Sequence, residues 1–169
     1  MDPQSLELSK AAARAALPYA IGLGVAYLLI GLIPCLGGCV NFFLTIGSFL
    51  GLGYLLTPRL TDRFPAGQSQ TTLALYIGAG VAVALTAAFV VANIITGLLG
   101  MALSTAISSL NDTSGFGAFG AATRGVAGLI LVTIGVTFWG LLVGTGLGFL
   151  GSYLAFNRST TVQGSARPF

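Results

Sequence analysis

The sequence predicts an all-α integral membrane protein with four transmembrane helices arranged as two hairpins and packed through Gly/Ala-rich faces. Three observations predict it. Of the 169 residues, 55% are hydrophobic and only 7% charged, whereas soluble domains average roughly a quarter charged; the mean hydropathy is +0.94. No charged residue falls between Ala15 and Pro58, between Phe64 and Asn111, or between Gly125 and Asn157. Glycine recurs at helical spacing, as Gly140, Gly144 and Gly148 and as the Gly47–Gly51 step. Residues four apart share a helix face, so each set forms a stripe without side chains along which two membrane helices can approach closely.

In chain order, residues 1–17 carry Asp2, Glu7, Lys10 and Arg14 among alanines and leucines. Asp2-Pro3 offers a cap followed by proline at the first helical position. A short interfacial helix is expected here. Residues 18–56 form the first transmembrane hairpin, its spans about 18–33 and 40–56, joined by the uncharged turn Pro34–Cys39. About 20 apolar residues cross a bilayer, so the second span sits at the short end. Residues 57–72, with two prolines, Arg59 and Arg63, read as a polar linker between the hairpins.

Residues 73–156 form the second hairpin. Its first span starts at Leu73 on a run of small residues, Gly78, Ala79, Gly80, Ala82 and Ala84, and extends towards Leu103. Residues 104–124, small and polar, are expected to be an outer loop whose Phe116 and Phe119 dip into the headgroup region. The last span, Val126–Phe156, carries the glycine ladder. Residues 157–169 form a polar tail with no helical pattern.

Lysine and arginine cluster on one side of this arrangement. The amino terminus, central linker and tail hold Lys10, Arg14, Arg59, Arg63, Arg158 and Arg167, against Arg124 alone on the other side. The positive-inside rule then puts both termini in the cytoplasm of a multi-pass plasma (inner) membrane protein of prokaryotic type. The net charge of +3 makes no stripe or patch suited to nucleic acid.

Two segments resemble each other. Val40-Asn-Phe-Phe matches Val136-Thr-Phe-Trp, and Gly51-Leu-Gly-Tyr-Leu matches Gly146-Leu-Gly-Phe-Leu. This is the pattern of a duplicated hairpin, as in some transporters; biased composition also produces such matches by chance.

The chain lacks the usual catalytic groups. It contains no histidine, the commonest metal ligand near neutral pH. Proton relays, pumps and voltage sensors rely on ionisable groups at membrane depth, and the spans hold none. No enzyme activity and no cofactor or metal is expected. Cys35 and Cys39, the only cysteines, bracket a Gly-containing turn that could close a disulfide on an oxidising face; as free thiols they would be small hydrophobes. No charge near them in sequence would activate a thiol. Leu36–Cys39 also matches a lipoprotein signal box, but an apolar span rather than a polar tether follows it. Asn111-Asp-Thr113 is a glycosylation pattern, common by chance. Asn41 and Asn93 either line a polar path or hydrogen-bond between helices. Trp139 and the phenylalanines at 42, 43 and 138 could contact pigment, quinone or lipid tails, with bilayer-facing bulk as the default reading.

Three functions follow as expectations. The first is a non-catalytic accessory or scaffold subunit of a larger membrane complex, its partners other membrane subunits and lipids, with Gly47, Gly51, Gly140, Gly144 and Gly148 as packing residues. The second is a small pore or carrier for a small solute or ion. The third, a thiol enzyme using Cys35 and Cys39, has least support.

Overall fold

The computed structural model describes residues 3–31, 37–63, 68–111 and 116–165; within these, the side chains of 37–39, 61–63, 108–111, 116–124 and 159–165 are outside the description. All of its regular structure among the described residues is helical. Four α-helices, α1 (Pro3–Gly31), α2 (Gly37–Leu56), α3 (Gln70–Asn111) and α4 (Phe116–Ser165), are joined in the middle by a 3₁₀ turn, Pro58–Arg63. Each of the four is long and apolar enough to cross a membrane, as befits a multi-pass membrane protein.

Helix α1 begins on Pro3, whose missing N–H belongs to a turn that has no intrahelical acceptor for it. It then runs unbroken past Pro18. The segment read as interfacial is therefore continuous with the span. Ser5, Leu8, Ala12, Ala16, Ala20 and Gly24 form one buried stripe at four-residue spacing that carries the helix across the proline, which itself faces outward. Helix α3 starts with Ser69 as its cap, the hydroxyl accepting from the Thr72 backbone N–H at 3.2 Å.

Two sequence expectations need correction. Residues 104–111 and 116–124 are helical where a loop is expected: α3 continues to Asn111 and α4 starts at Phe116. No proline interrupts this stretch, alanine favours helix, and the Ser104 hydroxyl bonds back to the Met101 carbonyl at 2.9 Å. Likewise the tail is helical to Ser165, because nothing between Asn157 and Gln163 breaks a helix and Pro168 lies beyond its end.

The helices associate in an order that their chain sequence does not dictate. Helix α3 is the hub, packed along much of its length on α1 and on α4, while α2 packs chiefly on α4 and only lightly on α1. Gly24 against Ala88 and Gly31 against Thr96 make α1 parallel to α3. Phe49 against Gly144 and Gly53 against Gly148 make α2 parallel to α4. Gly78–Gly148, Thr86–Gly140 and Gly97–Leu129 make α3 and α4 antiparallel.

The interior holds Phe49, Leu56, Ile77, Val81 and Leu85, all fully buried. Phe89 joins them, with its ring 5.0 Å from Tyr27 and edge-on to Phe49 at 6.1 Å. Many large apolar side chains point the other way: Phe43, Leu131, Phe138 and Leu142 are among the most exposed. Such an inside-out distribution places bulk towards hydrocarbon and small residues between helices. Several hydroxyls inside the spans bond to their own helix, as Thr45 to the Asn41 carbonyl at 2.7 Å and Thr96 to the Ala92 carbonyl at 2.9 Å, which satisfies them without water.

Candidate functional site

Helices α2, α3 and α4 meet closely on glycine. A methyl group at Gly53 would overlap the carbonyl oxygen of Gly148 and sit 3.1 Å from that residue's Cα. One at Gly148 would sit 3.0 Å from the Cα of Gly78, and one at Gly151 would overlap the Leu50 carbonyl. Backbone therefore meets backbone on both sides of α4. The fully buried Ser152 donates to the Gly53 carbonyl across this contact at 3.2 Å, and Thr57 donates to the same oxygen at 2.7 Å. A carbonyl has two lone pairs, and both are used here.

The predicted packing glycines divide into two groups. Gly140, Gly144 and Gly148 lie on the inner face of α4, against Thr86, Phe49 and Gly78 respectively. Gly47 and Gly51 do not pack inside this chain: a methyl at either would meet open space. They lie on an outward face of α2 between Phe43, 72% exposed, and Leu55, 57% exposed. Residues 40, 43, 47, 51 and 55 recur at helical spacing, so this face carries a smooth notch between two apolar flanks. Gly53, Gly78, Gly80 and Gly151 also pack inside, each against the backbone of a neighbouring helix. Periodicity alone could not pick them out, because in a chain of 25 glycines each helix offers several stripes.

Above the glycine junction the interior becomes polar. Asn41 is buried, its Nδ2 donating to the Tyr27 carbonyl at 3.4 Å while its Oδ1 has no partner. The buried Thr86 hydroxyl, beside Gly140, and the Asn93 Nδ2 are also without partners. Each group left so costs about 1–3 kcal/mol in an apolar interior. Thr96 and Gly31 adjoin Asn41, giving a small polar region shared by α1, α2 and α3.

Two pairs tie the basic side of the bundle together. Arg59 donates to the Tyr19 hydroxyl at 2.6 Å and lies over its ring, while Arg158 donates to the Tyr54 hydroxyl at 2.8 Å. Cys35 and the side chain of Cys39 are outside the described residues, as are the side chains of Phe116, Phe119 and Asn111, so the disulfide, headgroup and glycosylation expectations stay with the sequence. Among the described residues no group of three or more His, Cys, Asp or Glu gathers to hold a metal. No protein-family model, curated protein or solved structure matches the chain.

Proposed function

We propose that the protein is a non-catalytic accessory subunit of a larger membrane assembly, docked through the outward face of α2 and oriented with both termini in the cytoplasm. The observation that carries this reading is the unfilled Gly47–Gly51 step. A GxxxG face lets a second helix approach within backbone contact, and among the described residues none does so at either glycine. Phe43 and Leu55 flank the notch as a partner's ridges would require. The ladder of Gly140, Gly144 and Gly148 on α4 is, by contrast, filled from within, while Gly22, Gly100, Gly128, Gly135 and Gly146 also face open space but form no GxxxG step. The test is the mass and composition of the particle extracted in mild detergent or native nanodiscs. Other polypeptides in fixed ratio support the reading; a chain that emerges alone or as a homo-oligomer overturns it.

A second reading, a pore or carrier for a small solute, draws on the unpartnered Asn41, Thr86 and Asn93 atoms. Against it, the backbone contact of Gly53, Gly148 and Gly78 leaves no room for a solute between α2, α3 and α4 at that level. Solute flux in liposomes, lost on Asn41→Leu, would favour this reading; flux no greater than in empty liposomes eliminates it. The parallel packing of the two similar segments, α2 beside α4, agrees with a duplicated hairpin. The light α1–α2 contact beside the extensive α3–α4 contact does not.

A further inference from the structure

A groove runs along the outer surface between α1 and α3, with a volume of about 320 Å³ and an almost wholly apolar lining. Its floor is made of small residues, Gly24, Ala84 and Ala88, and its rim of Leu17, Ile21 and Val91. The small residues create it: α1 and α3 meet at Gly24 and Ala88, where a methyl on Gly24 would lie 3.3 Å from the Ala88 Cβ, and the larger rim residues stand up on either side. On α1 it extends from Leu17 to Leu28, roughly 16 Å at the helical rise, or about one leaflet of a ~30 Å hydrocarbon core.

The groove is open on its outer side, so an occupant lies along it rather than threading into it. A single hydrocarbon chain, whose carbons rest about 3.5–4.0 Å from their neighbours, can touch the small-residue floor and both rims at once.

The charge at one end selects the headgroup. Arg14 lies one helical turn before Leu17, on the same face of α1 as Leu17, Ile21 and Val25. It is exposed, and among the described residues it makes no hydrogen bond or ion pair. The two other charges on that face are paired, Lys10 with Glu7 at 2.8 Å; Arg14 also acts on Glu7 electrostatically, and the three together leave the face with one net positive charge. Pro18, also on that face and exposed, has no N–H to offer the Arg14 carbonyl.

We propose that this groove binds one anionic phospholipid, an acyl chain lying between α1 and α3 and the phosphate held by Arg14. The site is independent of the α2 face and holds whether or not the chain has protein partners.

Titration of the full chain in detergent with phosphatidylglycerol or phosphatidylcholine, read by native mass spectrometry, tests it. One retained lipid is expected, with phosphatidylglycerol favoured about fivefold, the effect of one basic side chain at an anionic surface. Arg14→Gln should bring the two lipids to parity. Ala87→Leu, at an exposed position on the groove wall, should abolish retention of both while leaving helix content unchanged. Equal binding of the two lipids by the wild type, or undiminished retention in Ala87→Leu, overturns the proposal. So does loss of a co-purifying polypeptide from Ala87→Leu with unchanged lipid, which would assign the groove to a protein partner.

Discussion

Replacing Gly53 with alanine probes the three-helix junction with a single methyl group. That methyl would lie 3.1 Å from both the Cα and the carbonyl carbon of Gly148 and overlap its oxygen. Backbone atoms cannot rotate away, so α2 and α4 must separate until the carbons reach about 3.5–4.0 Å, a shift of roughly 0.5–1 Å. A gap of that size forfeits about a quarter to a half of each dispersion contact along the pair, and overpacked cores lose about 1–3 kcal/mol. The Ser152 bond to the Gly53 carbonyl stretches too, which removes about 0.6 kcal/mol. Against these losses stands up to ~1 kcal/mol from alanine's helix propensity. The net expectation is destabilisation by about 1–2 kcal/mol. Gly51→Ala, two residues away on the open face, gains only the propensity and should be neutral or slightly stabilising. Reversible unfolding of both variants in mixed micelles, followed by circular dichroism, measures the difference. Equal stabilities would refute the assignment of Gly53 to the interior and Gly51 to the outside.

The same geometry gives further expectations. Gly144→Leu should disrupt the fold far more than Leu142→Ala, since the first drives a side chain into the buried Phe49 ring, whose Cε1 would lie 2.5 Å from the new Cβ, and the second trims a residue 64% exposed; thermal unfolding in detergent ranks the two. Thr86→Val removes a buried hydroxyl that has no partner, so stability should hold or rise by up to about 1 kcal/mol, and a loss above that in the same assay would mean the hydroxyl is bonded. Tyr19→Phe takes the acceptor from the exposed Arg59 contact and should cost no more than about 1 kcal/mol in the micelle unfolding assay.

The residues differ in how plainly they announced themselves in the sequence. The four apolar segments were readable because composition alone separates a span from a soluble helix, and charge-free runs locate it. The inner ladder of α4 was readable from its period. Its partners were not, because a stripe states which residues share a face and never which helix that face meets. Gly47–Gly51 shows the same limit from the other side: it has the spacing of Gly144–Gly148, yet faces outward. The helical course of residues 104–111 and 157–165 was hidden by their polarity, which marks where a chain leaves hydrocarbon rather than where its helix stops. The pairing of α1 with α3 rather than α2 was equally hidden, since alanines at four-residue spacing in residues 8–20 fit any smooth neighbour.

The most direct test of the accessory-subunit reading compares the wild-type chain with a Gly47→Leu, Gly51→Leu variant, both extracted in native nanodiscs and weighed. Both substitutions enter open space, so the variant should keep the fold of the isolated chain. The prediction is that the wild type carries other polypeptides in fixed ratio and that the variant, equally expressed and equally helical, has lost them. A wild-type particle without other polypeptides, or a variant that retains them in the same ratio, would contradict it.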